Sequence, residues 1–296
     1  MPNPDTPVSK PQPSIAIVGL GLMGTVIALR FLQHGWKVFV WNRSCEKAES
    51  LCQQGAIWTE NPFTVCDHVL ISLYSSDVVK SVIEQFNTQP WLAEYVIDTT
   101  TGDPEDTLAL AQQFAGKNVQ YMDAPISGSS EQTLRGEATV LVGADDKVFD
   151  RCAEIWNVLG TKVLHTGQVG TASQMKLVTN LVLGLNRLAL SEGIVFAESL
   201  GINPSQALQV LKESAARSGV METKGRKMIE RDFAPQARLA QHLKDVYLIL
   251  QSAARHGLDL PTTTLHSRLL EKAVAMNLGE ADNSAIIETI RGTKDS

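Results

Sequence analysis

The sequence predicts an α/β protein in two parts, a doubly wound sheet followed by an all-α C-terminal domain. Three observations carry the prediction. Short apolar runs alternate with helix-period segments up to about residue 166. The first run closes in a glycine-rich turn, and from Thr171 onward helical patterns follow one another with no strand between them. A chain of 296 residues is long for one compact core and suits two domains. The expected division is a tail over residues 1–13, an α/β domain over 14–166 and a helical domain over 167–296.

The elements are expected in this order. The tail, "MPNPDTPVSKPQPS", is rich in proline and polar residues and reads as disordered, with no signal-peptide pattern. "SIAIVGLGLMG" is a buried parallel strand ending in a turn. A helix from Thr25 to His34 follows, with Gly35 at its C-terminal end, then the strand "WKVFVWNR"; together they make a βαβ unit. "HVLISLY" and "YVIDTT" continue the sheet, with helices "SDVVKSVIEQF" and "PEDTLALAQQFAG" after them. "NVQYMDAPIS" and "ATVLVGAD" are further strands, then come a helix from Val148 to Leu159 and a last strand, "TKVLHTG". The later helices are expected at Ala172–Leu200, Asn203–Ser214, Lys224–Arg231, Ala237–His256 and Pro261–Met276.

The turn "GLGLMG" sets Gly19, Gly21 and Gly24 in the G-x-G-x-x-G spacing, with Leu20, Leu22 and Met23 between them. The first glycine permits the tight turn, the second lets backbone approach a pyrophosphate, and the third lets helix and strand pack closely. A helix N-terminus then offers its amides to phosphate. Because the triplet closes a strand and opens a helix, the sheet is read as a Rossmann-type dinucleotide site. At the end of the second strand, where an acidic residue would take the ribose hydroxyls of NAD, this chain has Asn42, Arg43 and Ser44. A guanidinium can grip a 2′-phosphate that a carboxylate would repel, so the expected cofactor is NADP, bound as NADPH.

Composition narrows the rest. The chain is 44% hydrophobic and 20% charged, with a net charge of −6 and a pI near 5.6. That balance argues against nucleic acid or an anionic membrane as the main partner. No uncharged apolar run reaches the roughly 18 residues of a membrane span, and a cytoplasmic location is expected. Cys45, Cys52, Cys66 and Cys152 show neither C-x-x-C spacing nor a histidine cluster, so they read as free thiols and no metal site is expected.

One helix poses a question of chemistry. In "VGTASQMKLVTNLVLGLN", Lys176 and Asn180 stand four apart, on one helix face. Ser173, Lys176, Asn180, Arg187 and Ser191 also fit a solvated polar stripe. The position directly after a nucleotide-binding sheet favours a pair that converges on a small molecule. A partly desolvated lysine there could exchange a proton with a substrate carbonyl or hydroxyl.

"GLGLMG", "WNRS", "DTTTGDP", "DAPISGSS" and the lysine helix together resemble the β-hydroxyacid dehydrogenases, which include 3-hydroxyisobutyrate dehydrogenase and glyoxylate/succinic semialdehyde reductases. The likeness runs from about Ser14 to Ile290. The family pattern G-x-G-x-x-x-K-x-x-N-N meets Gly170, Ala172, Lys176, Thr179 and Asn180, so two positions depart from it. The resemblance implies that Lys176 is the general acid/base and that Asn180 orients the substrate. It implies that Ser127, Gly128 and Ser129, small residues whose backbone amides can form an anion nest, hold the substrate carboxylate. Ser129 stands where the family has glycine. Lys244, in "LKDV", would close over cofactor and substrate. Leu73, Tyr74, Ser75 and Thr101 would line the dinucleotide. A phenylalanine common in glyoxylate and succinic semialdehyde reductases is replaced by Ala237.

The expected function is therefore an NADPH-dependent oxidoreductase interconverting a small hydroxy acid, most simply a 3-hydroxy acid, and its semialdehyde or keto acid. An imine reductase of the same architecture is the rival enzyme. A non-catalytic NADP-binding sensor or scaffold is the rival of another class. The apolar circumference of the helix from Ala172 suggests burial against a second subunit, hence a homodimer.

Overall fold

The computed structural model describes residues 12–87 and 90–292. Most of the N-terminal tail therefore lies outside the described residues. The first βαβ unit comprises β1 (Ser14–Val18), α1 (Leu22–Gln33) and β2 (Lys37–Trp41), followed by α2 (Glu49–Gln53) and the short β3 (Ile57–Trp58). Next come β4 (His68–Ile71), α3 (Ser76–Gln85), β5 (Tyr95–Asp98), α4 (Pro104–Ala115), β6 (Gln120–Asp123), β7 (Ile126–Ser127) and α5 (Ser130–Leu134). The sheet is completed by β8 (Thr139–Gly143), α6 (Asp146–Arg151), α7 (Ala153–Leu159) and β9 (Lys162–Gly167). The remainder is helical: α8 (Thr171–Ser199), α9 (Pro204–Glu213), α10 (Gly219–Glu230), α11 (Leu239–Arg255), α12 (Pro261–Ala275) and α13 (Ile287–Arg291).

The strands lie in the order β3-β2-β1-β4-β5-β6-β8-β7, with β9 against β8. From β3 to β6 every pairing is parallel; β8 runs antiparallel to β6 and β7. The order reverses between β1 and β4, which opens a crevice at the carboxyl ends of those strands, where a dinucleotide binds in this architecture. Alternate residues of β1 serve opposite cores. Ile15 and Ile17 pack with Phe31 of α1, and Ala16 and Val18 pack with Ile83 of α3 and Phe114 of α4. A strand buried on both faces must be apolar throughout, which explains the unbroken "IAIV".

Several boundaries differ from expectation for local reasons. α1 begins at Leu22, three residues early, because Gly21 is already its N-cap. "NVQYMDAPIS" is two strands, since Pro125 cannot donate to the sheet ladder. The helix read over Val148–Leu159 is two helices meeting at Cys152, which leaves helical geometry with ψ 14°. α10 starts at Gly219, five residues before Lys224. The two-residue β3, the five-residue α5 and α13 carry too little pattern to be read locally.

α8 organises the helical part. It packs on α9, α10, α11, α12 and α13, and on β8 and β9. The polar stripe of Ser173, Lys176, Asn180, Arg187 and Ser191 faces inward and is buried. Met175, Val178, Val182 and Phe196, at helical spacing, stay exposed on another face. α8 also has the length and apolar composition of a membrane span.

Candidate active site

The glycine turn is built as its spacing requires. Gly19 has φ +95°, and a Cβ there would lie 2.4 Å from the carbonyl oxygen of Ser72. At Gly24 a Cβ would lie 1.8 Å from Gly19 O, so this residue seats α1 against the turn. Gly21 is different: a Cβ would meet no atom within 4 Å. The space above Gly21 is open, and no side chain caps the α1 N-terminus that faces it. Residues shaped this way suit a pyrophosphate, since backbone donors face an uncrowded approach. Arg43 and Ser44 lie exposed at the end of β2. Asn42 has a narrower task than expected: its Oδ1 accepts from Leu20 N at 3.0 Å and its Nδ2 donates to Ser44 O at 3.0 Å. The Leu20 amide is thus spent on the β2 end and is not a free phosphate donor.

Across the crevice, α8 is fixed by a residue the sequence reading missed. Asp123, at the end of β6, accepts from Gly170 N at 2.7 Å and from Ser173 N at 2.6 Å. A carboxylate at a helix N-terminus satisfies orphan amides and complements the helix dipole. Gly143 makes the room, for a Cβ there would lie 2.3 Å from Asp123 Oδ1. The anchor sets the first turns of α8 against β7, and Lys176 Nζ donates to Ile126 O at 2.7 Å. One turn on, Asn180 Nδ2 donates to Asp245 Oδ2 of α11 at 2.9 Å.

Asp245 links this pair to the other side of the cleft. Its second oxygen lies 3.0 Å from Lys244 Nζ. Lys244 also donates to Thr101 O at 2.6 Å and Tyr74 O at 3.1 Å, with its ammonium 5.5 Å from the Tyr74 ring centre. Leu73 N donates to Thr100 Oγ1 at 3.1 Å, and Ser75 is the N-cap of α3. The structure therefore joins Asn180, Lys244, Tyr74 and Thr101 in one network through Asp245, with Lys176 one helical turn from Asn180 and within the electrostatic reach of Asp245. Tyr74 is 53% exposed, so its ring is available to a ligand rather than to a core.

The 127–129 loop is not the open anion nest expected from its small residues. Ser129 N is not free: it donates to Gln132 Oε1 at 2.9 Å, while Ser129 Oγ accepts from Gln132 N at 3.2 Å. This reciprocal capping box starts α5. With φ −80° and ψ 166°, Ser129 is extended, so serine in place of glycine causes no strain. Gly128 does need to lack a side chain, since a Cβ would lie 2.7 Å from Ala138 Cβ. Ser127, half-buried, pairs with Thr139 beside the Lys176 contact.

Electrostatics favour proton exchange at Lys176. Burial pushes its ammonium down to about 8, with Asp245 opposing the shift and Lys244 adding to it. Burial raises the Asp245 carboxyl, although Lys244, Lys176 and Asn180 all favour its ionised form. A lysine that titrates near neutrality, 7% exposed and hydrogen-bonded to one carbonyl, can both give and take a proton. Among the described residues no group of three His, Cys, Asp or Glu side chains gathers to hold a metal ion.

Residues 14–167 match the family model for the NAD-binding domain of 6-phosphogluconate dehydrogenase. Residues 170–290 match that for the NAD-binding domain of NADP-dependent 3-hydroxyisobutyrate dehydrogenase. Glyoxylate/succinic semialdehyde reductase 1 of Arabidopsis thaliana is 29% identical over 289 residues, covering 95% of this chain and 99% of its own. The 2-(hydroxymethyl)glutarate dehydrogenase of Eubacterium barkeri is 30% identical over 281 residues, with 93% of each chain covered. In structure, 3-hydroxyisobutyrate dehydrogenase of Mycobacterium tuberculosis superposes with a TM-score of 0.85 at 22% identity, covering 95% of this chain and all of that one. Two matching models that together span the described elements, and full-length relatives at this identity, place the chain in the β-hydroxyacid dehydrogenase family, as an NAD(P)-dependent oxidoreductase acting on hydroxyl groups.

Proposed function

We propose that the chain is an NADPH-dependent reductase of small carbonyl acids, reversible as a hydroxyacid dehydrogenase, with Lys176 as the general acid/base. The observation that carries the reading is the buried Lys176 amine, titrating near 8 and held 2.7 Å from Ile126 O beside the 127–129 loop. The nicotinamide, when bound, supplies or takes the hydride at the carbonyl carbon. In reduction the Lys176 ammonium gives its proton to the carbonyl oxygen; in oxidation the neutral amine takes the hydroxyl proton. Asn180, oriented by Asp245, positions the substrate one helical turn away. Ser127 and Gly128 flank the carboxylate end. Lys244 ties the α11 side of the cleft to the loops after β4 and β5.

NADPH is favoured over NADH by Arg43, exposed at the end of β2 where NAD enzymes carry an acid. The exposed stripe of Met175, Val178, Val182 and Phe196 supports a homodimer packed along α8.

The test is a panel of glyoxylate, succinic semialdehyde, methylmalonate semialdehyde and a cyclic imine, followed by loss of NADPH or NADH absorbance. Turnover of a carbonyl acid, better with NADPH, is expected to drop by at least about 100-fold in Lys176→Ala. NADPH affinity should change little. Imine turnover indifferent to the substitution would instead make the chain an imine reductase, and tight NADPH binding without any turnover would make it a sensor.

A further inference from the structure

The loops after β4 and β5 are stitched to each other at both ends. Leu73 N donates to Thr100 Oγ1 at 3.1 Å, and Asp103 N donates to Ser76 Oγ at 2.9 Å. Gly102 gives the second stitch its room, since a Cβ there would lie 2.3 Å from Ser76 Oγ. Between the stitches stand the Tyr74 and Thr101 carbonyls that receive Lys244. The two loops therefore form one jaw.

Thr100 is oriented by Asp98, the last residue of β5 and a buried acid with no part in the proton transfer at Lys176. Its Oδ1 accepts from Thr100 N at 2.8 Å, and its Oδ2 accepts from the Tyr121 hydroxyl of β6 at 2.6 Å. A buried carboxylate is costly unless donors satisfy it, and here each oxygen has its own donor. Burial pushes the carboxyl up to about 6, with Thr100 and Tyr121 pulling it down and Asp123 adding to the rise. It is therefore mostly ionised at neutral pH. Asp123 is its register partner on β6. Two neighbouring strand ends thus carry two buried acids with separate tasks. Asp123 fixes the helix that bears Lys176, and Asp98 fixes the jaw.

Strand order says which part of a dinucleotide the jaw meets. Across the sheet run the ends of β2, β1, β4 and β5, in that order. Arg43 stands at the first and the glycine turn at the second. Three strand spacings, roughly 14 Å, separate the ends of β2 and β5, and Lys176 comes in beyond them against Ile126 of β7. With the 2′-phosphate at Arg43 and the pyrophosphate over Gly21, the nicotinamide half lies over the ends of β4 and β5, on the way to Lys176.

Resting on that reading of the crevice as an NADPH site, we propose that Asp98 is the positioning residue for the nicotinamide half of the cofactor. It holds Thr100, and through Thr100 it holds the Leu73–Tyr74 and Thr100–Thr101 segments on which that half is laid. Asp98 itself touches neither cofactor nor substrate.

Asp98→Asn keeps the size and one acceptor but turns the other oxygen into a donor. NADPH should then bind about 10-fold more weakly or worse, the worth of a hydrogen bond to a charged group, while adenosine 2′,5′-bisphosphate, the adenosine half alone, keeps its affinity within about twofold. At saturating NADPH, kcat for the carbonyl acid should fall by at least about tenfold, because the nicotinamide is no longer aligned. Fluorescence titration and turnover read the three quantities. Tyr121→Phe, which removes only the donor to Oδ2, should move NADPH affinity and kcat the same way by less. If Asp98→Asn does not fold, Thr100→Val, which keeps the shape and loses the acceptor for Leu73 N, must show the same split. Equal losses on NADPH and the bisphosphate, or unchanged NADPH affinity in a folded variant, overturn the proposal and leave Asp98 purely structural. A wild type that binds NADPH but reduces no carbonyl acid sinks the function proposed above, and the affinity split still decides this inference. A wild type that binds no NADPH sinks both.

Discussion

The two walls of the cleft are made of different material. The α/β wall works through backbone: the glycine turn, the α1 N-terminus, and the Tyr74 and Thr101 carbonyls that receive Lys244. The helical wall works through buried side chains: Asn180 is held by Asp245, and Lys176 reaches across to the Ile126 carbonyl. A backbone site depends on shape, and its residues are chosen for what they lack. A side-chain site depends on charge, and its residues are chosen despite the cost of burying them. Substitutions should therefore fail differently on the two walls.

The largest effect is expected at the glycine turn. Gly24→Ala would put a methyl 1.8 Å from Gly19 O, so α1 must shift. NADPH binding should weaken at least about 100-fold, with a stability loss of about 3 kcal/mol from overpacking. Gly21→Ala separates shape for folding from shape for binding. Its methyl meets no protein atom, so the melting temperature should hold within about 2 °C, while NADPH affinity falls at least about tenfold. Fluorescence titration and thermal melts read both. Undiminished affinity in Gly21→Ala would mean that the pyrophosphate does not pass over this residue.

The legibility of the two walls follows the same division. A site built from backbone leaves a local signature, because the glycines, the strand before them and the helix after them are contiguous. Gly19, Gly21, Gly24 and the longer parallel strands could be read that way, though not the two-residue β3. Lys176 and Asn180 were visible because they share one helix face. What holds them was not. Asp123 reaches α8 across 50 residues and Asp245 reaches Asn180 across 65, and periodicity carries no record of such pairings. Arg187 was seen as one more polar position on a stripe, but only the packing of α11 and α12 shows that the stripe faces inward. Ser129 failed in the opposite direction. Its neighbours suggested a free amide, and a capping box with Gln132 claimed it.

On the helical wall, pH is the sharper tool. With the Lys176 pKa near 8, hydroxy-acid oxidation, which needs the neutral amine, should rise about tenfold per unit below pH 8 and level off above it. Carbonyl reduction, which needs the ammonium, should be level below 8 and fall above it. Stability follows the same group. The folded pKa is depressed below the ordinary 10.5, so the unfolded chain binds more protons between about 8 and 10.5 and stability rises with pH across that window. Below it the burial penalty is complete. Lys176→Met, which removes the charge and keeps the bulk, should accordingly raise the neutral-pH melting temperature by a few degrees, roughly 3–8 °C, while abolishing the pH dependence of turnover. A lower melting temperature in Lys176→Met would show that the Ile126 hydrogen bond outweighs the buried charge.

The smallest effect tests where the walls meet. Ser129 belongs to the backbone wall, yet its amide is held by a side chain, Gln132. If the capping box is its whole role, Ser129→Gly should cost only a few tenths of a kcal/mol, because glycine is itself an acceptable N-cap, and KM for the carbonyl acid should not move. Gln132→Ala would then cost more stability than Ser129→Gly and also leave KM unchanged. Should Gln132→Ala instead lower KM severalfold, the freed Ser129 amide must be donating to the substrate carboxylate. The capping box and the substrate would then compete for one N–H, and the loop would belong to both walls.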